Sequence, residues 1–192
     1  MKIGIDLDGV IFDTESQFRV AADIYDVEHF GLNNVIDPKQ IRFQDRYNWD
    51  TESVEDFYSK NVFDLEENSP FMPGVKYVLK YLKERGHKLY IISARGFYSQ
   101  KQIDITMKRL KENDLDIFKE YIFKADRKID IIDDRKIDIM IDDNIDLCKS
   151  ISDICEVLYF KDGLTYDINK DNVTTVYNWG DVYRFFKEKE GR

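Results

Sequence analysis

Short apolar runs alternate with amphipathic stretches from residue 73 onward, and nothing else in the chain limits its fold so strongly. Val75, Val78, Leu79 and Leu82 fall at helical spacing behind Pro73, whose fixed φ and missing donor suit a helix start, and Gly86 stops that helix. A buried strand follows over 88–93. The spacing then predicts a helix over about 99–113, with Ile103, Met107 and Leu110 on one face, and a short strand at 121–123. A helix at about 129–135, a strand at 137–141, a helix at 145–154, a strand at 156–160 and a closing helix at 182–187 complete the pattern. Residues 3–7 form one more strand at the N-terminus. Strands and helices in alternation imply an α/β fold, a doubly wound parallel sheet with right-handed crossovers.

Residues 14–72 differ in character. They are rich in aromatics and charge, lack strand alternation, and offer short helical candidates at 15–25 and 53–61. Asn33-Asn34, Asp37-Pro38 and Tyr47-Asn48 punctuate them as turns. The expected organisation is a core of 1–13 and 73–192 with a small helical insert, 14–72, between its first strand and the rest. A chain of 192 residues accommodates one such domain.

The net charge of −9 argues against a nucleic-acid polymer as partner, since phosphate-backbone binding needs a basic footprint. It leaves room for a small phosphorylated substrate, because a metal and one Lys reverse the sign locally. Cys148 and Cys155 stand on no metal or redox spacing and read as reduced core thiols. No apolar run approaches the roughly 18 residues of a membrane span, and the N-terminus enters a strand at once. A cytoplasmic protein is expected, with no membrane association.

The strand ends carry the chemistry. Asp6-Leu7-Asp8-Gly9 closes the first strand, and Gly9 lets the chain leave strand geometry so that Asp6 and Asp8 face one crevice. An Ile-Asp-Asp tip occurs twice, at 132–134 and at 141–143. A crossover between parallel strands needs about a dozen residues, which 123 to 131 cannot supply and 123 to 137 just does. Asp142 and Asp143 are therefore placed at the strand end, with Asn144 and an apolar-periodic helix behind them. Clustered carboxylates repel unless a cation joins them, and hard oxygen ligands without His or Cys select Mg²⁺. An ionised Asp can attack phosphorus while a second Asp moves the proton.

Asp6-Leu7-Asp8-Gly9-Val10, Ser93 at the end of the second strand, a Lys upstream of the last motif and Asp142-Asp143 together resemble the haloacid dehalogenase-like superfamily over nearly the whole chain. That resemblance implies Asp6 as nucleophile and Asp8 as acid/base. It implies Ser93 as a donor to the phosphoryl group, with backbone donors from Ala94 and Arg95. Asp142 would complete a Mg²⁺ site with Asp6 and the Asp8 carbonyl, and Asp143 would orient metal water or the Lys. Lys124, Lys128 and Lys136 are candidates for that Lys. Relatives place it at the start of the helix leading to the last motif, where Lys128 stands. An Asp two residues after the nucleophile is typical of the superfamily's phosphatases.

A short insert, Pro-Gly at its end, Ser-Ala-Arg, Ile-Asp-Asp-Asn and Tyr177-Asn178-Trp179 resemble the deoxyribonucleotidase branch and its bacterial relatives. A nucleoside 5′-monophosphate is then the first substrate expectation, with Tyr47 and Trp49 of the insert free to stack on a base. A phosphosugar or another small phosphate is the alternative. A non-catalytic binding protein is a third, and would be marked by loss of Asp6 or Asp8.

Overall fold

The structure, a computed structural model, describes residues 1–40 and 42–191. Six strands form one all-parallel sheet: β1 (Lys2–Ile5), β2 (Lys88–Ile92), β3 (Glu120–Ile122), β4 (Ile139–Asp142), β5 (Glu156–Phe160) and β6 (Val173–Val176). Their order across the sheet is β3-β2-β1-β4-β5-β6. Strands buried on both faces need apolar residues at successive positions, and Leu89-Tyr90-Ile91-Ile92 and Ile139-Met140-Ile141 supply them. Odd and even positions divide between two cores. Ile3, Leu89, Ile91 and Ile141 pack with Leu79 and Leu82 of α4 (Val75–Glu84), Leu110 of α5 (Gln100–Glu112) and Phe186 of α8 (Trp179–Glu190). Tyr90, Ile92, Met140 and Tyr159 pack on the other face with Ile132 of α6 (Lys128–Arg135) and Cys148 and Ile151 of α7 (Ile145–Ile151). The fold is thus the doubly wound α/β sheet that the alternating pattern implies.

The repeated Ile-Asp-Asp tip is divided between two elements. Asp133 and Asp134 lie within α6, whereas Asp142 ends β4 and Asn144 caps α7 by accepting from the N–H groups of Asp146 and Leu147. Strand β6 has no counterpart in the sequence reading. It is an edge strand, Val173-Thr174-Thr175-Val176, with one buried residue in four, so it carries no apolar run to announce it.

Between β1 and α4 the chain builds three helices, α1 (Thr14–Phe30), α2 (Phe43–Arg46) and α3 (Thr51–Asn68). It leaves and re-enters the core through two adjacent segments, where Asp13 N–H donates to Pro70 O at 2.9 Å and Met72 N–H to Ile11 O at 2.8 Å. The helices share a core of their own made of Phe18, Ala22, Tyr25, Tyr47, Trp49, Phe57 and Val62. Among the described residues no helix is long and apolar enough to cross a membrane.

Candidate active site

The chain winds outward from β1 to β3 on one side and from β4 to β6 on the other, so the order reverses between β1 and β4. A crevice opens at such a switch point, beyond the carboxyl ends of the strands. Asp6 follows β1 directly and Asp142 ends β4, which puts a carboxylate on each side of it. Past Asp6 the chain curls tightly, with the N–H groups of Ile11 and Phe12 both donating to Leu7 O at 2.8 and 2.9 Å. Gly9 sits in this curl at φ +69°, and a Cβ there would collide with the Asp143 carboxylate. Glycine is therefore required both by conformation and by the approach of Asp143.

Lys128, the first residue of α6, reaches into the crevice. Its Nζ lies 2.8 Å from Asp142 Oδ2 and 3.1 Å from Asp6 Oδ2. Lys136 points away to Asp133 in solvent, so of these two candidates Lys128 alone meets the carboxylates. Asp142 is fully buried, and its Oδ1 accepts from the Asn144 N–H at 2.9 Å. Asp6 is 8% exposed, and its Oδ1 is buried without a hydrogen-bond partner. One carboxylate oxygen from each of Asp6, Asp142 and Asp143 falls within 4.8 Å of the others.

A single ammonium does not neutralise this cluster. Burial, opposed by Lys128 and reinforced by Asp142 and Asp8, pushes the Asp6 carboxyl up to about 6. Burial and the neighbouring Glu15 and Asp142 carboxylates push Asp143 well above the ordinary range. Glu15, on the first turn of α1, is pushed up to about 8 by burial and by Asp8. Surplus negative charge, an orphaned Asp6 oxygen and an all-oxygen donor set fit a hard divalent cation such as Mg²⁺.

Asp8 faces the same crevice but is firmly held. Its carboxylate accepts two hydrogen bonds from the Arg95 guanidinium, at 2.9 and 2.6 Å, and one from Thr14 Oγ1 at 2.7 Å. Burial raises its pKa, yet Arg95 and Thr14 outweigh burial and hold it below the usual carboxylate range. Ser93 directly follows β2, buried, and with the exposed Ala94 lines the cavity that contains Asp6 and Lys128. Arg95 is engaged through its side chain as well as its backbone. Its backbone N–H donates to Ser93 Oγ at 3.3 Å, and its side chain, 3% exposed, is committed to Asp8 and to Thr106 Oγ1 at 2.8 Å.

Tyr47 and Trp49 are not in the crevice, which corrects the stacking expectation. Tyr47 is fully buried, Trp49 is 8% exposed, and their rings stack on each other at 4.5 Å inside the helical unit. Trp49 Nε1 donates to Asp26 Oδ1 at 2.7 Å, and Tyr47 Oη donates to Asp23. Rings of this size are worth more to the core of a small three-helix unit than to solvent. Glu15, Thr14 and Glu66 were missed. Glu15 carried a faint signal, because it opens the first helix after the carboxylate loop. Glu66 carried none, since it meets Gln102 only through the packing of α3 on α5.

This sheet order, with the insert after β1 and carboxylates at the β1 and β4 tips, is shared with solved structures of haloacid dehalogenase-like proteins. No family model matches the sequence, and no curated protein does. Among solved structures, the chain is similar to a haloacid dehalogenase-like family hydrolase from Streptococcus pneumoniae, with a TM-score of 0.66 and 16% identity over 96% of this chain and 97% of that one. It is similar to a predicted phosphoglycolate phosphatase from Haemophilus somnus, with a TM-score of 0.63 and 15% identity over 96% of each chain. It is also similar to CbbY from Rhodobacter sphaeroides, solved with xylulose-1,5-bisphosphate, with a TM-score of 0.60 and 11% identity over 94% of this chain and 95% of that one. Identities this low establish likeness of fold alone.

Proposed function

We propose that the protein is a Mg²⁺-dependent phosphomonoesterase that works through an aspartyl-phosphate on Asp6 and takes a small phosphorylated metabolite. The observation that carries this reading is the Asp6 carboxylate: Oδ2 lies 3.1 Å from Lys128 Nζ, Oδ1 is buried without a partner, and the residue lines the crevice. A nucleotide, the first expectation from sequence, loses the stacking platform offered for its base, since Tyr47 and Trp49 lie inside the helical unit. The alternative, a phosphosugar or other small phosphate, gains support from fold-likeness to a structure holding a sugar bisphosphate.

Asp6, Asp142 and Asp143, with the Asp8 carbonyl, would hold the metal. When bound, it supplies positive charge against the phosphoryl oxygens and the carboxylate cluster. Asp6 attacks phosphorus through one carboxylate oxygen as the bond to the leaving oxygen breaks, and Asp8 delivers a proton to that oxygen. Asp8, now a carboxylate, takes a proton from the water that attacks phosphorus, and Asp6 is released. Ser93 Oγ and the neighbouring backbone N–H groups bind the phosphoryl oxygens, and Lys128 keeps Asp6 ionised and oriented. In the conformation described here Asp8 is ionised and clamped by Arg95, so substrate binding must loosen that clamp before the first proton moves. Residues 14–72 act as a cap that closes over the crevice and excludes water.

Phosphate release from nucleoside monophosphates, sugar phosphates and simple alkyl phosphates, with Mg²⁺ and with a chelator, tests this reading. Mg²⁺-dependent release from the small esters is expected. Release from nucleotides alone would restore the nucleotidase reading, and chelator-insensitive release would remove the metal from the mechanism.

A further inference from the structure

A second cavity opens on the cap side of Asp8 and has no part in the steps above. It encloses about 940 Å³ and shares Asp8, Glu15 and Arg42 with the neighbouring cavity that contains Asp6, Ser93 and Lys128. Asp8 thus stands between the two. The oxygen that Asp8 would protonate belongs to the leaving alcohol, and this space is open to the remainder of that alcohol.

The walls of the cavity are of two kinds. Phe18, Phe43, Tyr58 and Tyr98 contribute rings, with Phe18 stacked on Tyr58 at 5.9 Å and Tyr98 edge-on to Tyr58 at 5.2 Å. Glu52, Glu55 and Glu66 of α3 contribute carboxylates. Among the described residues that line it, Arg42 is the one cation, and its guanidinium lies 3.7 Å from Asp45.

Glu66 decides what such walls are for. It is 2% exposed, its Oε1 accepts from Gln102 Nε2 at 2.6 Å, and its Oε2 is buried with no partner. The Arg95 Nε stands 4.0 Å from Oε1, too far for a hydrogen bond. A buried carboxylate oxygen without a donor is costly, and a donor arriving through the cavity relieves the cost. Aromatic faces beside carboxylates attract an organic cation through both the ring quadrupole and charge. A neutral polyol engages neither so fully.

Resting on the phosphatase reading, we propose that this cavity receives the leaving group, and that the leaving group carries an ammonium: the substrate is an amino-alcohol or amino-sugar phosphate. The test compares kcat/KM for matched esters, glucosamine 6-phosphate against glucose 6-phosphate and phosphoethanolamine against ethyl phosphate, with Mg²⁺, in the wild type, Glu66→Gln and Glu55→Gln. The wild type should prefer each amine by at least about tenfold, the size of one charge-assisted hydrogen bond. That ratio should collapse toward unity in Glu66→Gln and narrow in Glu55→Gln, which lies on the exposed part of α3 and spares the fold. Because the ratio is taken within one variant, general damage cancels. Equal turnover of amine and neutral esters by the wild type would overturn the charged leaving group while leaving the phosphatase reading intact. An amine preference unchanged by both substitutions would overturn the role of this cavity. No release from any ester would bring down both readings together.

Discussion

Asp6 and Lys128 lie 3.1 Å apart in a site where burial opposes ionisation of both; Lys128 keeps its charge through Asp142 and Asp6, whereas Asp6 is favoured as a carboxylate by Lys128 and opposed by Asp142. Asp6→Asn should therefore lower turnover by about a thousandfold or more with the far-ultraviolet circular dichroism unchanged; undiminished phosphate release would move the nucleophile elsewhere. Lys128→Met should cost at least about a hundredfold in kcat and Lys136→Met almost nothing, since Lys136 only meets Asp133 at the surface. The same cluster sets a pH dependence of stability. Asp6, at about 6, and Glu15, at about 8, have folded pKa values above their ordinary ones. Near pH 8 the unfolded chain ionises these groups freely and the folded one does so at a cost, so the folded state binds more protons. Stability from this source is lost as pH rises through the folded values and is regained as pH falls toward about 4.5. In the presence of a chelator, the melting temperature should rise between pH 8 and pH 6, and Mg²⁺ at pH 8 should raise it in place of protons. Asp142→Asn should blunt the response to Mg²⁺ measured by thermal unfolding.

At the scale of elements, the joint between α3 and α5 ties the helical unit to the sheet domain. Arg109 on α5 donates to the Glu66 carbonyl at 2.5 Å and to the Ser69 carbonyl, satisfying acceptors at the end of α3, and its guanidinium lies 4.3 Å from the centre of the Phe12 ring. Arg109→Ala should destabilise the protein by about 1–3 kcal/mol in urea unfolding, since it leaves those carbonyls unpaired. Trp49→Ala should cost about 3–5 kcal/mol and leave KM nearly unchanged, as befits a core ring rather than a stacking platform. Sequence periodicity located α4, α5, α6 and β2 because each presents an apolar stripe or a continuous apolar run. It undershot α1 and α3, which run to Phe30 and Asn68, because their buried positions are few and their exposed faces carry Val20, Ile24 and Val27. The motif residues at strand tips were legible since backbone connectivity alone places them. The directions of Arg95, Glu66, Tyr47 and Trp49 were not, because each is fixed by residues 11 to 87 positions away.

At the scale of the molecule, a chain of net charge −9 concentrates carboxylates where its sheet winding reverses, and supplies fewer cations there than those carboxylates need. Such a design makes sense when the missing charge arrives with the metal, and it sits poorly with a polyanionic partner. The helical unit adds the second, acidic cavity next to the first, with Asp8 lining both, and on the proposed reading the leaving group would occupy the side away from Lys128. The central claim is the covalent step at Asp6. Acid quenching during turnover with Mg²⁺, followed by intact-mass measurement and peptide mapping, tests it most directly. A fraction of the chain should carry the mass of one phosphoryl group, released by hydroxylamine and mapped to Asp6, and absent from Asp6→Asn. Steady turnover with no phosphorylated chain at any quench time, or with the label on another residue, would contradict the account.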